Sequence, residues 1–161
     1  MTSSDEDLAD WRRELPDLDP RFLEALLETD RLAAVRAEFL ERVFEPFEIE
    51  PGEYALLAVL RRAGAPYRSS PGALAARLDL SSGGVSKRIQ KLESEGWVER
   101  TRDPEDGRGA FVSLSRRGRE LQERVFRALL VALESRLGRI QESRLREIAG
   151  ALRELSEALE G

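Results

Sequence analysis

The chemistry this sequence offers is carried by arginine, lysine, serine and glutamine. Residues 100–114, RTRDPEDGRGAFVSL, set a charged turn with Pro104, Gly107 and Gly109 between two short runs that alternate like strands. The tip holds Arg102, Asp103, Glu105, Asp106 and Arg108. A guanidinium on a thin hairpin can enter a narrow minor groove, where the negative potential of duplex DNA is strongest. Asp106, two residues before Arg108, can hold that guanidinium in one pose. Just upstream, Ser82, Ser86, Lys87, Gln90 and Lys91 supply hydroxyls, an amide and cations, the groups that bond phosphates and base edges. Each feature taken singly has a plain alternative. The turn can be a solvated loop with a surface ion pair worth about 0–1 kcal/mol. The upstream segment can be an ordinary amphipathic helix with a loosened first turn.

Other chemistries are closed off by composition. The chain has no Cys and no His among its 161 residues. Disulfides, thiolate metal sites, the commonest general base and the commonest metal ligand are therefore absent. SSGGVSK lacks the spacing of a phosphate-binding P-loop, and no spaced Asp/Glu cluster suggests a carboxylate metal site. The sequence is that of a non-enzyme with no cofactor or metal. The longest apolar runs are a few residues, as in YALLAVL, so no membrane partner is expected and the cytoplasm is the simplest location.

Net charge is −5, and its distribution is uneven. Residues 1–60 hold six Lys/Arg against sixteen Asp/Glu, residues 61–120 thirteen against eight, and residues 121–161 seven of each. A basic middle in an acidic chain is the pattern of a localised phosphate-binding face.

The elements that must position these groups are mostly helices. LADWRRELPDLD predicts a short helix over 6–14 that ends before Pro16. Asp19 reads as the N-cap of a helix over 20–44, with Pro20 in its first position. A helix over 51–63 follows, and APYRSS reads as a loop. Ser70 caps a helix over 71–78 and Ser81 caps one over 82–95, which Gly96 ends. Val85, Ile89 and Leu92 make the buried stripe of the second helix. Gly83 and Gly84 cost about 1 kcal/mol each in helix propensity, a cost offset if backbone there approaches DNA closely. A strand, the charged turn and a strand come next; Ser115 then caps a long helix to about 137, Gly138 breaks it, and a last helix covers 141–159. Two helices joined by a tight turn and followed by a hairpin make a winged helix-turn-helix. The fold class is mainly α with a small two- to three-stranded β wing. The chain divides into N-terminal helices (1–50), a DNA-binding lobe (51–115) and C-terminal helices (116–161). Leu145, Ile148, Leu152, Leu155 and Leu159 recur at spacings of three and four; packing within the monomer is one reading, and a dimer interface shared with 20–44 is the favoured one.

The run SSGGVSKRIQKLESEGWVERTRDPEDGRGAFVSLSRRG resembles the MarR-type family of bacterial transcriptional regulators. The resemblance rests on the Gly-terminated helix, on Asp106 and Arg108 in the wing, and on Val112, Leu114, Ser115 and Gly118 after it. It extends over about residues 20–160. It implies a homodimeric repressor, nucleoid-associated when bound to a pseudo-palindromic duplex, with residues 82–91 in the major groove and Arg108 in the minor groove. The DNA-contacting set it implies is Ser70, Ser81, Ser82, Gly84, Ser86, Lys87, Gln90, Lys91, Arg102, Asp106 and Arg108. DWRRELPDLDP resembles the extra N-terminal helix of the family's urate-responsive branch. This implies a small anionic aromatic effector held by Trp11, Arg88 and Arg100. The Asp of that branch falls on Ala55, with Glu53 close by, a departure from the urate pattern. Arg88, next to Ile89, is expected to be half-buried and tethering. A winged-helix protein-interaction module, or a regulator with no effector, are the rival readings.

Overall fold

Three serines start three of the helices. The structure, a computed structural model, describes residues 4–20, 22–102 and 110–161. The Ala73 N–H donates to Ser70 Oγ (3.2 Å), Gly84 N–H to Ser81 Oγ (3.1 Å) and Gly118 N–H to Ser115 Oγ (2.9 Å). Each bond satisfies an amide left over at a helix start. They open α4 (Pro71–Leu78), α5 (Ser82–Ser94) and α6 (Arg116–Leu137). Before them come α1 (Ser4–Glu14), α2 (Leu23–Phe44), a 3-10 turn (Glu45–Phe47) and α3 (Pro51–Arg62); α7 (Glu142–Glu160) ends the chain.

The start of α2 departs from expectation. The helix begins at Leu23 and not at residue 20, and Phe22 occupies the N-cap position with helical φ and ψ of −79° and −15°. The reason is local. Leu18 N–H donates to Leu15 O (3.1 Å) and Leu23 N–H to Pro20 O (2.8 Å), so two tight turns precede the regular helical ladder. These turns gather Leu15, Leu18, Phe22 and Leu23 around Trp11.

A second difference is an added strand inside APYRSS. β1 (Arg68–Ser69) pairs antiparallel with β3 (Ala110–Leu114), which pairs in turn with β2 (Val98–Arg102). The hairpin register sets Val98 opposite Leu114 and Arg102 opposite Ala110. The third strand covers an edge that a lone hairpin would leave open.

The core lies where α3, α4, α5 and the sheet meet. Leu56, Leu57 and Leu60 of α3, Leu74 of α4, and Val85, Ile89 and Leu92 of α5 are each 0–1 % exposed. Val98 and Val112 close it from the sheet, Phe44 from α2 and Val125 from α6. Tyr54 is buried with its ring centroid 4.7 Å from that of Phe44, and its hydroxyl accepts from Gln122 Nε2 (3.4 Å). Burial raises the Tyr54 pKa, against smaller opposing effects of Gln122 and Arg62.

The first turn of α6 is fastened to the residues between α5 and β2, beside the core contacts of Val125 and the Gln122–Tyr54 bond. Ser115 Oγ donates to Gly96 O (2.7 Å) and Ser115 N–H to Trp97 O (3.1 Å). A Cβ on residue 118 would stand 1.9 Å from Trp97 O, so only glycine fits. Replacing Gly118 by Ala is expected to destabilise the protein by about 3 kcal/mol, the upper end of overpacking costs, measured by urea unfolding. Gly72→Ala, where a Cβ meets nothing within 4 Å, is the comparison and should be neutral or stabilising by up to about 1 kcal/mol.

Candidate nucleic-acid interface

Helix α5 has an inner face and an outer face, set by its 3.6-residue period. The inner face is Val85, Ile89 and Leu92, packed in the core as expected. Ser82, Ser86, Lys87 and Gln90 are exposed. The turn into α5 is made by Asp79, which takes the left-handed conformation (φ 51°) as C-cap of α4. Ser70 and Ser81 each spend an acceptor on their cap and keep an O–H able to donate to an anion.

The two glycines of α5 differ in role. A Cβ on Gly84 would lie 3.3 Å from Ser81 Oγ, so a small residue there protects the cap. A Cβ on Gly83 would meet nothing within 4 Å, which leaves its backbone open to approach from outside.

The wing is fixed at its base. The ladder runs to the Arg102–Ala110 pair. Asp106 and Arg108, and the side chain of Arg102, lie outside the described residues.

Three cations named from the sequence have partners within the protein. Arg88 is half-buried, and its Nη1 donates to Gly52 O at 3.5 Å. Gly52 makes room for it, since a Cβ there would lie 2.9 Å from Arg88 Cζ. Lys91 Nζ stands 2.5 Å from Glu53 Oε1 and 3.1 Å from Glu50 Oε1. Glu53 raises the Lys91 pKa most, and Glu50 adds to the effect. Arg100, on β2, pairs with Glu93 of α5 (Nε to Oε2, 3.1 Å). Arg88 and Lys91 line a cleft of about 530 Å³ with Lys87, Gly84, Glu50 and Glu53.

Trp11 is 49 % exposed and lines a different cavity, of about 420 Å³, with Leu15, Leu18, Pro20, Phe22 and Leu23. Within one chain, therefore, Trp11 lines one of these two cavities and Arg88 the other. Ala55 is half-buried on α3, while Glu53 is buried at its first turn.

Sequence reasoning missed further basic groups of the lobe and of the first turns of α6. Arg68, placed in a loop by its surroundings, is on β1 with its guanidinium 4.6 Å from the Phe111 ring centroid. Arg61 and Arg119 both lie over the Tyr67 ring, at 5.1 and 5.5 Å. The separation of these partners along the chain leaves no local signal for the pairing. Among the described residues no group of three or more His, Cys, Asp or Glu side chains could hold a metal ion, and no helix is long and apolar enough to cross a membrane.

Comparison with known proteins agrees with this geometry. A model of the MarR family matches residues 47–109, from the end of the 3-10 turn to the residue before β3. The HTH-type transcriptional regulator PecS of Dickeya dadantii is 32 % identical over 115 residues, covering 71 % of this chain and 69 % of PecS. The DNA complex of Sco3205, a MarR family transcriptional regulator from Streptomyces coelicolor, superposes with a TM-score of 0.77 at 22 % identity, over 89 % of this chain and 91 % of that one. Bordetella bronchiseptica BpsR, whose DNA binding is regulated by 6-hydroxynicotinic acid, superposes with a TM-score of 0.68 at 20 % identity, over 80 % of this chain and 89 % of BpsR. A helix-turn-helix with an exposed polar face, a paired hairpin after it and a relative of this identity and coverage lead to one assignment: the chain belongs to the MarR family of DNA-binding transcriptional regulators.

Proposed function

We propose that the protein is a homodimeric repressor of a pseudo-palindromic operator, working in the bacterial cytoplasm at the nucleoid. Residues 51–115 form the DNA-reading lobe. The observation that carries this is the outer face of α5, where Ser82, Ser86, Lys87 and Gln90 are exposed opposite a fully buried stripe. That face enters the major groove, Gly83 lets the backbone come close while Gly84 keeps the Ser81 cap intact, and the Ser70 and Ser81 hydroxyls donate to phosphates. Arg102 and Arg108 of the wing, with Asp106 as tether, follow the minor groove.

The dimer is inferred from unburied apolar surface. No residue of α7 is buried in the single chain, and only Phe44 is buried in α2. Leu23, Leu32 and Val35 of α2 and Ile148, Leu152 and Leu159 of α7 are all exposed. Helices 1–50 and 116–161 that bury these residues between two copies would set two lobes about one DNA turn, roughly 34–36 Å, apart.

A small anionic aromatic effector, urate-like in chemistry, lowers DNA affinity in this reading. Trp11 stacks on it, and Arg88 and Arg100 pair with its anionic oxygens. The apolar cavity at Trp11 and the BpsR precedent support it. Because Trp11 and Arg88 line separate cavities in one chain, the dimer has to bring them together. Coupling follows if the ligand binds best to dimers with the wrong lobe spacing. Ala55, where the urate pattern has Asp, favours a second reading in which DNA binding needs no effector.

Three measurements test these proposals. Arg108→Ala should weaken binding to an operator selected from genomic fragments by about 1–3 kcal/mol, read by fluorescence anisotropy; unchanged affinity removes the wing from the interface. Leu152→Arg should reduce the mass in sedimentation from two chains to one, and a dimer that persists would place the interface elsewhere. Titration with urate and with 6-hydroxynicotinic acid should raise the melting temperature and release the operator. If neither acid does so, the effector-free reading stands.

A further inference from the structure

Helix α5 has a third stripe, between the buried face and the exposed one. Gly84, Arg88 and Lys91, at i, i+4 and i+7, all line the cleft against the first turn of α3. Arg88 lies across Gly52 with one long bond to its carbonyl (3.5 Å). Lys91 reaches further, to Glu53 at 2.5 Å and Glu50 at 3.1 Å. The two acids are unequal. The Glu50 side chain is 74 % exposed, whereas that of Glu53 is 3 % exposed.

Glu53 is held from both sides. Its Oε2 accepts the Glu50 N–H (3.0 Å), which caps α3. Its Oε1 is buried and has no hydrogen bond of proper angle; the Lys91 ammonium is within ion-pair distance but misaligned. A buried carboxylate left without its counter-ion is costly. The ammonium is therefore committed inside the protein, although it sits half-exposed on the helix that carries the DNA-reading side chains.

We propose that Lys91 is a positioning residue and not a phosphate contact: with Glu53, and Glu50 in support, it latches the recognition helix to α3 and fixes its rotation. The proposal rests on the reading of α5 as the major-groove helix. Rotation matters because of leverage. At the outer radius of a helix, about 5–6 Å, a turn of about 20° moves a side-chain tip by about 2 Å. That is enough to break a hydrogen bond to a base edge. Ser86 and Gln90 lie within five residues of the latch on the same helix, so their reach depends on it. Phosphate contacts by Lys87 tolerate such a shift better, since a flexible ammonium acts as a point charge.

Two variants of the full chain separate latch from contact. Glu53→Gln removes the buried charge and keeps the cap, because glutamine also serves at the third position of a capping box. The double variant Glu53→Gln/Lys91→Met removes both charges and leaves no buried carboxylate; melting temperatures show that each variant folds. Binding to the selected operator and to a scrambled duplex of equal length is measured from 50 to 200 mM salt. As a latch, both variants lose specificity, the ratio of operator to scrambled affinity falling about tenfold, the size of one mismatched base pair. The double variant keeps the wild-type slope of log affinity against log salt. A slope reduced by about 0.9 for each lost contact, with equal loss on both duplexes, makes Lys91 a phosphate contact and overturns the proposal. So does an unchanged specificity ratio in Glu53→Gln. Wild-type protein that binds both duplexes alike would overturn the interface reading and the latch together, and that outcome is visible in the wild-type control alone.

Discussion

The carbonyl of Trp97 occupies the space where any side chain on residue 118 would begin. This contact joins three parts of the molecule. Trp97 follows α5 and precedes β2, while Gly118 is in the first turn of α6. The Ser115 hydroxyl ties the same turn to Gly96 O, and its N–H ties it to Trp97 O. Helix α5, the base of the wing and the long helix toward the C-terminus are thereby locked within a few ångströms of one another. Further along α6, Val125 in the core and the Gln122–Tyr54 bond hold the same orientation. A methyl group on residue 118 displaces backbone, which cannot swing aside as a side-chain tip can.

Around that junction, α5 divides its circumference among three tasks. Apolar residues hold it in the core, polar residues face outward, and cations between them clasp α3. The first two tasks need only the right residue type on the right side. The third needs particular partners, and it uses positive charge that would otherwise count toward DNA. Basic residues in this lobe are thus of two kinds. Lys91 and Arg100 are paired to Glu53 and Glu93 inside the protein, whereas Lys87 lies exposed with Ser86. Net charge by segment overstates the electrostatic face available to a duplex, because it counts both kinds alike.

What could be read from the sequence was what depends on neighbours in the chain. Ser70, Ser81 and Ser115 announce their helices because a hydroxyl reaches an amide three residues on. The stripe of Val85, Ile89 and Leu92 follows from helical period alone. The misses are of the opposite kind. β1 is two residues long, too short to alternate, and its partner strand is more than forty residues away. The start of α2 moves to Leu23 because tight backbone turns, Leu18 N–H to Leu15 O and Leu23 N–H to Pro20 O, precede it. Glu53 reads as an ordinary acid near a helix start; its burial and its pairing to Lys91 arise only when α5 packs on α3. The outward face of the candidate site was legible for this reason, and the latch behind it was not.

The serine caps have one more consequence. An O–H whose oxygen already accepts a hydrogen bond is polarised and becomes a stronger donor. At Ser81 the Gly84 amide supplies that polarisation, and at Ser70 the Ala73 amide does. An anion taken up by either hydroxyl completes a relay of anion, hydroxyl and amide in which each bond strengthens the next. The first turns of α4 and α5, loosened by Gly72, Gly83 and Gly84, would thus be stiffened by the phosphate they receive. Order at these helix starts would come in part from the target itself.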